Sequence, residues 1–201
     1  MFKYILIAPP KGKADLKSYV DWVEDMGFDP VVLEDDHQKI DGPLLLCGGA
    51  DLGVNLARDE RELRWLQNAL ENGQPIIGVC RGMQLLNHYF GGKVETIWDS
   101  IVEDHRSDDF TDDEDHTERL SQYHWVMDLD QNMFSVNSRH HQYCSEVAEN
   151  FKVTHMSFGC GYIPEAFEDK KRKIWAVQWH PERMESADNM YPLNKLVDLK
   201  D

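Results

Sequence analysis

The first half of the chain alternates short, unbroken apolar runs with amphipathic segments. Tyr4–Ala8, Val31–Leu33, Leu44–Cys47 and Pro75–Val79 are apolar without polar alternation. That pattern predicts strands buried on both faces. Between and after them lie three segments with helical spacing. One is Ala14–Met26, with Leu16, Tyr19, Val20 and Val23 on one face and Gly27 as its stop. The second is Glu60–Glu71, built on Leu63, Leu66 and Leu70 and closed by Asn72-Gly73. The third is Met83–Phe90, closed by Gly91-Gly92. Glycine just past a periodic segment is a helix-end signal. Strand–helix alternation of this kind predicts an α/β fold, a mostly parallel central sheet with helices on both faces. Sites in such sheets lie at the carboxyl ends of the strands. Cys80 and Gly48-Gly49 both fall at such ends.

The second half is less regular. Strands are expected over Tyr123–Met127, Lys152–His155 and Ile174–Trp179. The segment Val136-Asn137-Ser138-Arg139-His140-His141-Gln142 lies between the first two without a clear period. Residues 104–115 hold seven acids against one Arg, which reads as a solvated, mobile loop. The spacing of an EF-hand is absent there.

Composition narrows the picture. A chain of 201 residues is expected to form one domain, 1–201. Its formal net charge of −16 argues against nucleic acid or an anionic membrane surface as a partner, since both need a basic patch. No apolar run approaches the roughly 20 residues of a membrane span, and the N-terminus lacks the features of a signal peptide. The four cysteines form no Cys-x-x-Cys pair and no disulfide-dense pattern, so a reducing cytoplasm is the expected location. No cofactor is called for. The adjacent His140 and His141 would point to opposite faces of an extended segment, which does not make a zinc site.

Two features carry chemistry. Gly78-Val79-Cys80-Arg81-Gly82 is the thiol form of the Gly-x-nucleophile-x-Gly elbow, with an apolar strand before it and a helix after it. The glycines let the strand turn sharply, and a helix N-terminus is a place where a thiolate is stabilised. Downstream, the strand Ile174–Trp179 runs into His180-Pro181-Glu182. A cysteine nucleophile needs a base, and the base needs a third group to fix its tautomer. His180 and Glu182 can supply both.

These motifs resemble those of class I, triad-type glutamine amidotransferases. The elbow Gly78–Gln84, Val136–Gln142, Val177–Glu182 and Arg58-Asp59 look most similar to the branch that includes gamma-glutamyl-gamma-aminobutyrate hydrolase. The resemblance implies a flavodoxin-like three-layer sandwich. It implies a Cys80–His180–Glu182 triad cleaving a γ-glutamyl amide through a thioester, and an oxyanion hole from the backbone N–H groups of Gly49 and Arg81. Gln84, Asn137, Ser138 and His140 would then lie along the bound glutamyl group, and no metal is implied. The chain differs from that branch in a short Asp51–Ala57 loop and in the opening Ile7-Ala8-Pro9-Pro10. His124 falls where the family often has a His before a strand, as pocket wall or as core.

Three readings follow. The first is a free-standing hydrolase of γ-glutamyl amides of small amines. The second is a glutaminase subunit that feeds ammonia to a separate synthetase partner. The third is a catalytically silent binding module, against which the intact Cys80, His180 and Glu182 argue. In an α/β-hydrolase with a Cys nucleophile the acid would precede the His in the chain. Here Glu182 follows His180.

Overall fold

A computed structural model of the chain describes residues 2–97, 122–159, 161–185 and 190–198. Its first four strands are β1 (Tyr4–Ala8), β2 (Asp29–Val32), β3 (Leu44–Leu46) and β4 (Ile76–Val79). The second half supplies β5 (Lys93–Thr96), β6 (Gln122–Asp128), β7 (Met133–Ser138), β8 (Gln142–Glu146), β9 (Lys152–Phe158), β10 (Pro164–Asp169) and β11 (Ile174–Val177). The helices are α1 (Lys13–Asp25), α2 (Leu56–Glu71), α3 (Arg81–Tyr89) and α4 (Asn194–Asp198), with a 3-10 turn over Pro181–Arg183.

Nine strands form one sheet in the order β2-β1-β3-β4-β11-β10-β9-β6-β7. Neighbours from β2 to β11 are parallel. From β10 outward they are antiparallel. Each second reversal restores direction, so β10 and β6 alone run against the rest and the sheet is mostly parallel, as expected. β5 and β8 pair separately as a two-stranded ribbon.

The layers follow from alternation along the buried strands. Ile5 and Ile7 of β1 pack into one core with Tyr19, Trp22 and Val23 of α1. Leu6 and Ala8 pack into the other core with Trp65, Leu66 and Ala69 of α2 and Met83, Leu85 and Leu86 of α3. Both faces are covered, which is why these strands carry no polar alternation. Each fully buried Ile or Leu side chain contributes about 1.5–3 kcal/mol. The two cores flank β4 and fix the position of its carboxyl end.

Some elements differ from expectation. α2 starts at Leu56 rather than Glu60, because Asn55 caps it: Asn55 Oδ1 accepts the Arg58 N–H at 3.1 Å, a standard N-cap bond. β10 was not expected at all, since Glu165, Glu168 and Asp169 make Pro164–Asp169 look polar. All three acids are nonetheless buried. Asp169 accepts from Arg172 at 2.5 Å, and Glu165 sits 3.3 Å from His124. The unperiodic segment Val136–Gln142 resolves into the end of β7, a short link, and the start of β8. The acidic stretch 104–115 lies outside the described residues.

Candidate active site

Three strand ends converge on Cys80. β4 delivers it directly, β3 ends beside it at Gly48-Gly49, and β11 leads on to His180. Cys80 has φ 50° and ψ −107°, a conformation rare for any residue with a Cβ. Such strain persists only where the surroundings enforce it. Here the Cys80 N–H donates to the Val177 carbonyl at 2.7 Å, and its carbonyl accepts the Gln84 N–H at 3.1 Å. The flanking glycines are needed for close approach. A Cβ on Gly82 would lie 2.2 Å from the Leu46 carbonyl oxygen, and one on Gly78 would lie 2.8 Å from the Gly82 backbone. The elbow spacing is therefore set by α3 pressing on β3 and on its own lead strand.

His180 is buried against this turn. Its Nδ1 lies 2.7 Å from Glu182 Oε1, and a carboxylate there makes Nδ1 the donor. The ring also hydrogen-bonds Cys80. Burial alone pulls the imidazolium down. The Glu182 charge, then Cys80 as charge and hydrogen-bond partner, outweigh it and leave His180 raised to about 10. Burial pushes the other described thiols, Cys47 and Cys144, well up, so they stay protonated. The Arg58 guanidinium beside Cys47 does not offset its burial, whereas Cys80 meets the imidazole of His180.

The neighbouring turn is built around the same ring. A Cβ on Gly48 would meet His180 Cε1 at 2.9 Å and the Tyr19 hydroxyl at 3.0 Å. That hydroxyl accepts the Gly48 N–H at 2.8 Å. Gly49 has φ +147°, and a Cβ there would lie 2.2 Å from Arg58 Nη1. Arg81 is the first residue of α3, so its N–H is among the four with no partner within the helix.

The remaining expected residues fall into two groups. Gln84 is buried, and its Nε2 donates to the Gln142 carbonyl at 3.2 Å and to Gln178 Oε1 at 3.3 Å. Gln178 Nε2 in turn lies 3.5 Å from Cys80 Sγ. Both ends of the Asn137 amide are bonded to the His180 backbone, each at 2.8 Å. Ser138 and His140 are buried. His140 Nδ1 donates to the Gln142 carbonyl at 2.9 Å, and Nε2 sits 3.9 Å from Glu165. His124 is a buried partner of the same Glu165. His141 turns instead to Asp51, 2.8 Å away. Adjacent histidines thus serve different partners, and among the described residues no group of three or more His, Cys, Asp or Glu is arranged to hold a metal. No described helix is long and apolar enough to cross a membrane.

Sequence reasoning missed Gln178, Tyr19 and Glu62 behind the turn, and gave Arg58-Asp59 no role of its own. Arg58 Nε donates to Glu62 at 2.8 Å, and its Nη2 donates to the carbonyls of Gly48 at 3.0 Å and Cys47 at 3.4 Å. Arg81 pairs with Glu62 and with Asp59. The Arg58–Glu62 spacing, four apart on one helix, was the available signal.

The Peptidase C26 family model matches residues 16–182. The chain belongs to the Peptidase C26 family. The matched span holds the elbow and ends on Glu182. Among curated relatives, the glutamine amidotransferase-like protein YvdE of Lactococcus lactis is 32% identical over 190 residues, covering 83% of this chain and 79% of that one. A GMP synthase (glutamine-hydrolyzing) of Listeria innocua is 33% identical over 135 residues, covering 67% of this chain but 24% of the synthase. Among solved structures, a glutamine amidotransferase of Thermotoga maritima aligns with a TM-score of 0.66 at 13% identity, covering 99% of this chain and 83% of that one. This is a likeness of fold. As a Peptidase C26 member of the class I glutamine amidotransferase type, the chain is a cysteine-dependent amide hydrolase or amidotransferase by family.

Proposed function

We propose that this Peptidase C26 protein is a free-standing γ-glutamyl hydrolase that works through a γ-glutamyl thioester on Cys80. The observation that carries the reading is the Cys80 elbow facing His180, whose Nδ1 is held by Glu182 at 2.7 Å. The Cys80 thiolate attacks the side-chain amide carbon. The carbonyl π pair moves to oxygen, and the N–H groups of Gly49 and Arg81 receive the negative charge. One such preorganised donor is typically worth about 10²–10³ in turnover. The intermediate collapses, the C–N bond breaks, and the amine leaves with the proton that His180 donates. A water then loses its proton to His180 and attacks the thioester. Glutamate departs and the Cys80–His180 pair is restored.

In this reading Gln84 contacts the glutamyl group directly, beside Gln178. Ser138 and His140 shape the same side of the pocket from the β7–β8 link. Asn137 acts through His180 rather than on substrate. The proposed site is a cytoplasmic one that uses no cofactor.

One observation favours a second reading, a glutaminase subunit that hands ammonia to a separate synthetase: the chain matches part of a glutamine-hydrolyzing GMP synthase. Glutamate release from glutamine and from a panel of γ-glutamyl amines separates the two. Turnover of an amine conjugate well above glutamine supports the hydrolase. Weak glutaminase activity alone supports the synthetase-linked reading. No release from any γ-glutamyl amide contradicts both.

A further inference from the structure

Behind the candidate oxyanion hole lies a neutral cluster of two guanidinium groups and two carboxylates: Arg58, Arg81, Asp59 and Glu62. Glu62 is fully buried, and Arg58 and Arg81 are nearly so. Charges so far from water persist only when each is paired and hydrogen-bonded. The pairing here has a specific shape. Glu62 Oε1 accepts from Arg58 Nε at 2.8 Å, and Glu62 Oε2 accepts from Arg81. Arg58 then extends to the Gly48 carbonyl at 3.0 Å, on the peptide whose nitrogen belongs to Gly49. Asp59 accepts from Arg81 with one oxygen. With the other it accepts the Gly53 N–H at 2.7 Å, farther along the Gly48–Gly53 loop.

We infer that Glu62 is a positioning residue that sets the two halves of the oxyanion hole against each other. One carboxylate oxygen fixes the Gly48–Gly49 peptide through Arg58. The other fixes the side chain of Arg81, whose own N–H is the second donor. The planar fork of Arg58 is required, because one guanidinium must donate to Glu62 and to the turn in fixed directions. The glycine at position 49 follows from the same contact, since Arg58 occupies the space of its Cβ. A hole aligned in this way acts where charge develops and leaves substrate binding nearly untouched.

The inference rests on the proposed Gly49 and Arg81 oxyanion hole, and the test separates the two. Glu62→Gln keeps the shape and removes the charge that both arginines share. Its kcat should fall by about tenfold or more, with KM within about twofold, as for loss of a donor used only in the transition state. Alkylation of Cys80 by iodoacetamide should keep its rate, because the Cys80–His180 pair is untouched. A γ-glutamyl aldehyde is the direct probe. Sγ bonds to the carbonyl carbon, the π pair moves to oxygen, and the thiol proton stays on His180. Its affinity should weaken in step with kcat, while the affinity for glutamate holds. Arg58→Lys, which lacks the fork, should repeat this signature and serves if Glu62→Gln does not fold. A folded Glu62→Gln with unchanged kcat would overturn the inference, as would parallel losses in kcat and Cys80 alkylation. Turnover retained by Cys80→Ser would instead overturn the underlying reaction.

Discussion

Asn137 holds His180 at both of its backbone groups. Asn137 Nδ2 donates to the His180 carbonyl and Oδ1 accepts the His180 N–H, each at 2.8 Å across 43 positions of sequence. This ties the end of β7 to the segment just past β11 and fixes the imidazole from behind, as Glu182 fixes it from the side. Asn137→Leu would leave both backbone groups buried and unpaired, at a cost of about 1–3 kcal/mol each. Chemical denaturation should register that loss, and kcat should fall with it. Equal stability and unchanged kcat would show that the clamp does not hold His180.

His180 should govern both reactivity and a slice of stability. Its folded value, raised to about 10, exceeds the usual value near 6.5 for a free imidazole. A group raised on folding stabilises fully below its unfolded value and loses that contribution as pH climbs toward the folded one. The stability difference between wild type and His180→Asn should therefore shrink from about pH 6.5 to about pH 10, as measured by denaturation across pH. Over neutral pH, iodoacetamide should alkylate Cys80 more slowly in His180→Asn than in wild type. Glu182→Gln should lower kcat by less than His180→Asn, since the acid orients the base and does not itself move the proton. A pH-independent stability difference would place the imidazolium elsewhere.

The turn glycines make a contrasting pair. Gly82→Ala drives a methyl to 2.2 Å from the Leu46 carbonyl oxygen, a backbone atom that cannot swing aside. The variant should be destabilised by about 1–3 kcal/mol, the usual range for overpacking. Gly48→Ala meets the His180 ring and the Tyr19 hydroxyl instead. Its expected signature is a loss of kcat with a smaller change in thermal midpoint. The reverse pattern would separate Gly48 from the working face of the site.

The parallel half of the fold was legible because its physics is local. Ile5–Ala8, Leu44–Leu46 and Ile76–Val79 are buried on both faces, so their sequences are continuous apolar runs. The elbow was legible because two glycines and a strand before them leave few other structures. β10 was not, because its buried acids find their partners in residues distant in sequence or beyond its own turn. Glu165 needs His124, 41 positions earlier. No window of neighbouring residues displays that pairing. Asn137 was expected along the substrate from its motif alone. Its bond to His180 exists only once β7 and β11 are placed in one sheet. Glu62 was hidden for a similar reason, since an acid within a helix ordinarily faces water. Its partner Arg81 follows a different strand.

If Cys80 carries the glutamyl group, the thioester is trapped by stopping the reaction during turnover. The chain would be mixed with a γ-glutamyl amide, quenched with acid during turnover, digested, and its cysteine peptides weighed. The expected result is the added mass of one γ-glutamyl group on the peptide containing Cys80, released by hydroxylamine, and none on those containing Cys47 or Cys144. Glutamate released at full rate while the Cys80 peptide stays unmodified at every quench time would contradict it.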